Sequence, residues 1–187
     1  SRGLGDVYKR QALERAKHLS GDDRTRAISA VFSVALVSDP EFVASEVLNA
    51  GLTDHEVKTV IYQMDMAWVS PNRGLEWLEQ NLVGELRKES RSRLLRRLAT
   101  TSPEEALKYL GTMSPGSEYS ESYVNVMLGW IQLDPTKAIA YAENMPEEPG
   151  FPAILSILGP SWIERHPASV KEFIEKHPND SDIAGLT

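Results

Sequence analysis

The chain has 187 residues, no cysteine and a formal charge of −7, with 41% hydrophobic and 25% charged residues. The missing thiols exclude disulfides, thiolate zinc sites, iron–sulfur clusters and cysteine nucleophiles, and the acidic balance argues against a general nucleic-acid binder and against docking on anionic lipid. The longest apolar run, Ala30 to Val37 interrupted by Ser33, is far short of the roughly 20 residues that a membrane span needs.

The first eleven residues, Ser1 to Gln11, match the in-frame translation of a sequencing-adapter primer and are set aside as a non-native segment. They are expected to run on as an extension of a helix beginning near Ala12. With Arg2, Lys9, Arg10 and Asp6 removed, residues 12–187 carry a charge of −9. That stretch is one domain's worth by length, and neither end reads as a solvent-facing cap repeat. It is therefore expected to be a single fragment truncated at both ends.

Ala12 to Leu19 reads as the tail of a helix. A repeat then appears, marked by prolines that follow a small polar residue or histidine: Asp39-Pro40, Ser70-Pro71, Ser102-Pro103, Asp134-Pro135 and His166-Pro167, at intervals of 31, 32, 32 and 32 residues. Asp and Ser are good N-caps, because the side-chain oxygen accepts from an orphan backbone N–H. Proline fits the first helical position, where no N–H is needed. A short helix, B, is therefore predicted from each proline, with Ser102 and Glu105 as a capping box.

Positions after the proline agree with one buried stripe. Three residues on stand Val43, Gly74, Ala106, Ala138 and Val170; six on stand Glu46, Trp77, Tyr109, Tyr141 and Phe173; seven on stand Val47, Leu78, Leu110, Ala142 and Ile174. Gly51, Pro115-Gly116, Pro146 and Pro178 are the stop signals, and the second repeat lacks a clean one until Gly84.

A longer helix, A, precedes each proline. Five residues before it stand Ala35, Met66, Leu98, Trp130 and Trp162, and nine before it Val31, Tyr62, Leu94, Val126 and Leu158. Thr53 with Glu56 is a second capping box. In that repeat the apolar set Val60, Ile61, Met64, Ala67 and Trp68 is shifted by a residue or two, matching the shorter interval. Asn179 to Thr187 fits the start of a further helix A. No strand is required, and two helices of about 15 and 10 residues make an αα-hairpin that buries its apolar face only by stacking on copies of itself.

The pattern Trp130…Asp134-Pro135…Ala138…Tyr141…Met145-Pro146 resembles bacterial helical-repeat arrays of the form W-x-x-x-D-P-x-x-A-x-x-W-x-x-x-L-P, within the broad tetratricopeptide-like class, over Asp22 to Pro178. The resemblance implies an all-α, right-handed α-solenoid of about five hairpins. It also implies a protein–protein interaction scaffold with no catalytic activity of its own, binding an unidentified protein or peptide. The alternative is a helical positioning arm of a larger bacterial enzyme, such as a cell-wall lytic enzyme.

The candidate partner-binding residues are the basic cluster Arg87, Lys88, Arg91, Arg93, Arg96 and Arg97, an unusual concentration in an acidic chain. The plainer reading is a solvated helix face with Glu89 and Arg93 paired at i,i+4. Arg91 stands where the other repeats have Ile28, Tyr123 and Leu155, so its stem is expected to lie along the neighbouring repeat. The aromatic series at the sixth position reads as packing between repeats rather than a binding ladder, as do Trp130 and Trp162.

His18, His55, His166 and His177 are scattered, without the spacing that holds a metal. Glu104-Glu105 and Glu147-Glu148 sit at a helix start and in a loop, where acids are favoured without any catalytic role. Gly159-Pro160 falls inside helix A of the last hairpin and is expected to bend it. No nucleophile elbow, phosphate-binding loop or dinucleotide fingerprint occurs, so neither a catalytic residue, a metal nor a cofactor is assigned.

Overall fold

A computed structural model describes residues 2–68, 70–144, 159–160, 162–164 and 167–176, and every regular element among them is helical. In chain order these are α1 (Arg2–Lys17), α2 (Gly21–Ser38), α3 (Pro40–Glu46) with a 3-10 turn at Val47–Asn49, α4 (Asp54–Ala67), α5 (Pro71–Asn81), α6 (Gly84–Ala99), α7 (Pro103–Leu110), α8 (Ser117–Leu133), α9 (Pro135–Glu143) and α10 (Pro167–Lys176). Helices α3, α5, α7, α9 and α10 each open on one of the five marker prolines. The readings placed on Met145, Pro146, Glu147, Glu148, Leu155, Leu158, His166, His177, Pro178 and Asn179 to Thr187 lie outside the described residues.

The N-caps divide by chemistry. Asp39 accepts from the backbone N–H of Phe42 at 3.1 Å and Asp134 from that of Lys137 at 3.0 Å. Each is the single residue between its two helices. Ser70 and Ser102 make no side-chain cap bond, so the box expected at Ser102 and Glu105 does not form. Three residues separate α6 from α7, and Ser102 has ψ 72°, far from the extended value that turns a short hydroxyl back onto the helix. Asp134, at ψ 89°, bridges a similar geometry with its longer two-oxygen side chain. Thr53 has ψ 160°, and its hydroxyl accepts from the N–H of Glu56 while Glu56 Oε2 accepts from the N–H of Thr53 at 2.8 Å. This is the reciprocal box the sequence predicts.

Two compact units divide the chain, residues 1–90 and 91–187, with the division inside α6. In the first, α2 packs on α1, α3 and α4. Its core holds Leu13 and Ala16 from α1, Ile28 and Phe32 from α2, Val43 and Val47, and Val60, Ile61, Met64 and Trp68. Helix α1 runs unbroken through Ala12, but Val7 and Tyr8 on its first half are exposed. Ties one period apart recur: Glu41 with Arg73, the Ala44 carbonyl with the Trp77 indole at 3.1 Å, and Lys58 with Glu89 at 2.7 Å. Arg24 donates to the carbonyls of Lys17, Ala50 and Gly51, which lie at helix C-termini where the macrodipole favours a cation. Gly51 has φ +68°, and a β-carbon there would collide with this guanidinium.

In the second unit, α8 packs on α7 and α9. Leu94, Leu95, Leu98, Ala106, Leu110, Tyr123, Val126, Met127, Ala138 and Ala142 are buried. A β-carbon at Gly129 would overlap the Arg96 carbonyl oxygen and lie 2.8 Å from Ala99 Cβ, so α8 and α6 approach backbone to backbone there. Trp130 meets Tyr141 at 5.3 Å between ring centroids, and Trp162 meets Phe173 edge-on at 5.2 Å. Both contacts join a helix A to the helix B that follows it, while Trp77 of the same aromatic series reaches back 33 residues to Ala44. Gly159 and Pro160 are both helical.

Candidate functional site

The six basic residues share helix α6 but not one face. At about 100° per residue they spread around the helix. Arg91 lies on the inward side with Leu94, Leu95 and Leu98; it is 5% exposed and its guanidinium donates to Glu118 Oε2 at 2.7 Å. Burial is possible because the charge is met by a carboxylate of the following helix A. Arg87 and Lys88, in the first unit, are half-buried beside Glu79 (4.0 Å) and Glu85 (3.9 Å). Arg93 and Arg97 are half-buried in the second unit, and Arg96 is exposed opposite Arg91. Glu89 on the same helix accepts from Lys58 at 2.7 Å, across 31 residues.

A more enclosed feature lies in the first unit, between α3 with its 3-10 turn and α5. Glu41, Ala44, Ser45, Leu48, Asn49, Trp68, Trp77 and Asn81 line a groove of about 280 Å³. Its chemistry follows from the helix register. Trp77 stands on α5 one residue before the buried Leu78, so its indole reaches sideways to the preceding helix B and is fixed there by the bond to Ala44. Asn81, one turn later, donates its amide to the Trp77 carbonyl at 2.8 Å, leaving its Oδ1 as an acceptor. Ser45 gives its hydroxyl proton to the Phe42 carbonyl at 2.8 Å, leaving oxygen lone pairs. Glu41, in the first turn of α3, holds the Arg73 guanidinium through Oε1. Trp68 also lines the groove and is buried.

Sequence reading missed this groove because its residues come from two repeats and Trp77 matched the packing stripe. The available signal was the departure at the same offset, Glu46 in place of an aromatic. Glu46 instead pairs with Arg10 at 3.0 Å.

A second, shallower hollow of about 440 Å³ lies between α2 and α4, lined by Ser33, Leu36, Val37, Gln63 and Ala67. Val34, Val37, Tyr62 and Met66 are exposed on these two helices.

Among the described residues, carboxylates held below their ordinary range include Glu14, by the Lys17 ammonium, Glu56, by the Thr53 N–H, and Asp134, by the Lys137 N–H. All three are capping or same-helix pairs, the plain consequence of hydrogen bonds to the charged form. Among the described residues no group of three or more His, Asp or Glu gathers to hold a metal ion, and no described helix is long and apolar enough to cross a membrane.

No protein-family model, curated protein sequence or solved structure matches the chain.

Proposed function

We propose that these hairpins are stacked repeats of a right-handed, tetratricopeptide-like α-solenoid, and that the chain is a non-catalytic scaffold binding a protein or peptide. The carrying observation is the spacing of the polar ties in the first unit. Glu41–Arg73, Ala44–Trp77 and Lys58–Glu89 are separated by 32, 33 and 31 residues, one repeat apart. Contacts at that separation are what nearest-neighbour stacking of equivalent hairpins produces, and a stacked array presents an extended surface suited to peptides. Of the six basic residues, Arg96 is the one with an exposed side chain for such a surface, and Arg91 acts within the fold.

Excision of one period, Glu104 to Pro135, tests the architecture. A stacked array rejoins equivalent surfaces and keeps a cooperative transition with unchanged helicity per residue; a single irregular core loses both. Selection of a random peptide-display library on the folded chain tests the function. Enriched peptides that bind in solution and compete with one another support the reading. No enriched peptide with a Kd below roughly 1 mM removes it.

A further inference from the structure

We infer that the groove between α3 and α5 is a receptor site for a basic side chain, arginine or lysine, of a partner polypeptide. The inference rests on the binding-module reading above and names the chemistry of one of its contacts. Four observations converge. The polar groups facing a ligand are mainly acceptors: Asn81 Oδ1, the Ser45 oxygen and the second oxygen of the Glu41 carboxylate, whose Oε1 holds Arg73, against the Asn49 amide and the remaining Asn81 N–H as donors. The apolar lining is Ala44, Leu48 and two indoles, which suits the aliphatic stem and cationic head of Lys or Arg. Glu41 already holds a guanidinium, that of Arg73, so its carboxylate stands where such a group is bound. The chain as a whole is acidic, at −7, which favours a basic partner.

A sugar is the competing occupant for a Trp-, Asn- and Glu-lined groove. It needs donors and acceptors in balance beside an open ring face, whereas this groove is acceptor-rich and the Trp77 indole is half-buried, with its N–H spent on Ala44.

Arg73 then acts as an internal competitor. It occupies Glu41 from the rim, with both side chains more than half exposed, so a ligand guanidinium displaces it or shares the carboxylate's second oxygen.

The test follows the four tryptophan indole N–H signals of the 15N-labelled full chain, with Trp77 assigned through Trp77→Phe. The probes are Ac-Ala-Arg-Ala-NH2, its Lys, Gln and Glu counterparts, and N-acetylglucosamine. The expected result is a saturable shift of the Trp77 signal with the Arg and Lys peptides alone, at a Kd of about 1–10 mM. Glu41→Gln and Asn81→Ala should each weaken it about fivefold while the chain remains fully folded at the titration temperature. Arg73→Ala should tighten it at least twofold, while Arg26→Ala, an exposed cation on α2, leaves it unchanged.

An unmoved Trp77 signal at roughly 20 mM basic peptide, saturation by the Glu peptide or the sugar, or weaker binding in Arg73→Ala overturns the inference. If display-selected peptides bind while Trp77 stays silent, this site is wrong and the scaffold reading survives. If neither set binds, both fall.

Discussion

Helix α4 in the first unit and helix α8 in the second occupy the same place in the repeat and treat the same positions oppositely. Nine and five residues before the proline, α8 buries Val126 and Trp130, and the part of α6 in the second unit likewise buries Leu94 and Leu98. Helix α4 exposes Tyr62 and Met66 there and buries Ile61, Met64 and Trp68 instead. The cause is the register between helix A and its proline, shortened in the one repeat with a 31-residue interval. A slip of one residue turns a helix by about 100°, which is enough to carry core positions out to solvent.

The difference teaches that two packing solutions coexist in one repeat pattern. The second unit closes by bringing backbones together at Gly129 and pairing rings within hairpins. The first, with α4 out of register, is tied by Arg24, Trp77 and ion pairs, and leaves the two grooves open.

The strongest way to break this contrast is at Gly129. Helix propensity alone says that Gly129→Ala stabilises by about 1 kcal/mol. The added methyl, however, meets the Arg96 carbonyl, which moves only if α6 moves, so overpacking is expected to win. Urea unfolding should show a net loss of about 1–3 kcal/mol, and Gly129→Leu should abolish the cooperative transition of the second unit. A stabilised Ala variant would show that the helices do not approach so closely.

Next, the same position in two repeats is compared directly. Leu98→Ala should cost about 2–5 kcal/mol, whereas Met66→Ala, at a side chain 60% exposed, should stay within about 0.5 kcal/mol of the parent. Equal losses would mean that α4 keeps the common register.

The caps sharpen the comparison on a smaller scale. Thr53→Ala removes a working box and should cost about 1 kcal/mol; Ser102→Ala should be silent, because that hydroxyl makes no cap bond.

The smallest effect is on pH. Asp134 has its folded-state pKa lowered, so its stabilisation is present above the unfolded value and is lost as pH falls through the folded one, that is, below about 4. Asp134→Asn should flatten this part of the acid limb of thermal stability, while Ser102→Ala leaves it unchanged. An unaltered acid limb in Asp134→Asn would show that its cap does not contribute.

Local chemistry made much of the fold legible. Proline has no N–H and a fixed φ, so Pro40, Pro71, Pro103, Pro135 and Pro167 could open helices and hardly continue them, and each opens one. Thr53 and Glu56 announced their box, and the shifted apolar set of α4 announced its register. The candidate site was less legible. Six basic residues on one helix gave a composition without a direction, and only packing separates the buried Arg91 from the exposed Arg96, because inward and outward are defined by neighbouring helices.

The sequence by itself determined the helical class, the period and the start of every helix B, since these depend on a residue and its neighbours within a turn. Tertiary structure alone decided which caps engage, why Gly129 has no side chain, and that Glu41, Trp77 and Asn81 enclose a groove. The caps depend on the backbone angles that each inter-helix link adopts, and the Gly129 contact and the groove on distances between residues some 30 to 40 positions apart, which the packing of the helices sets.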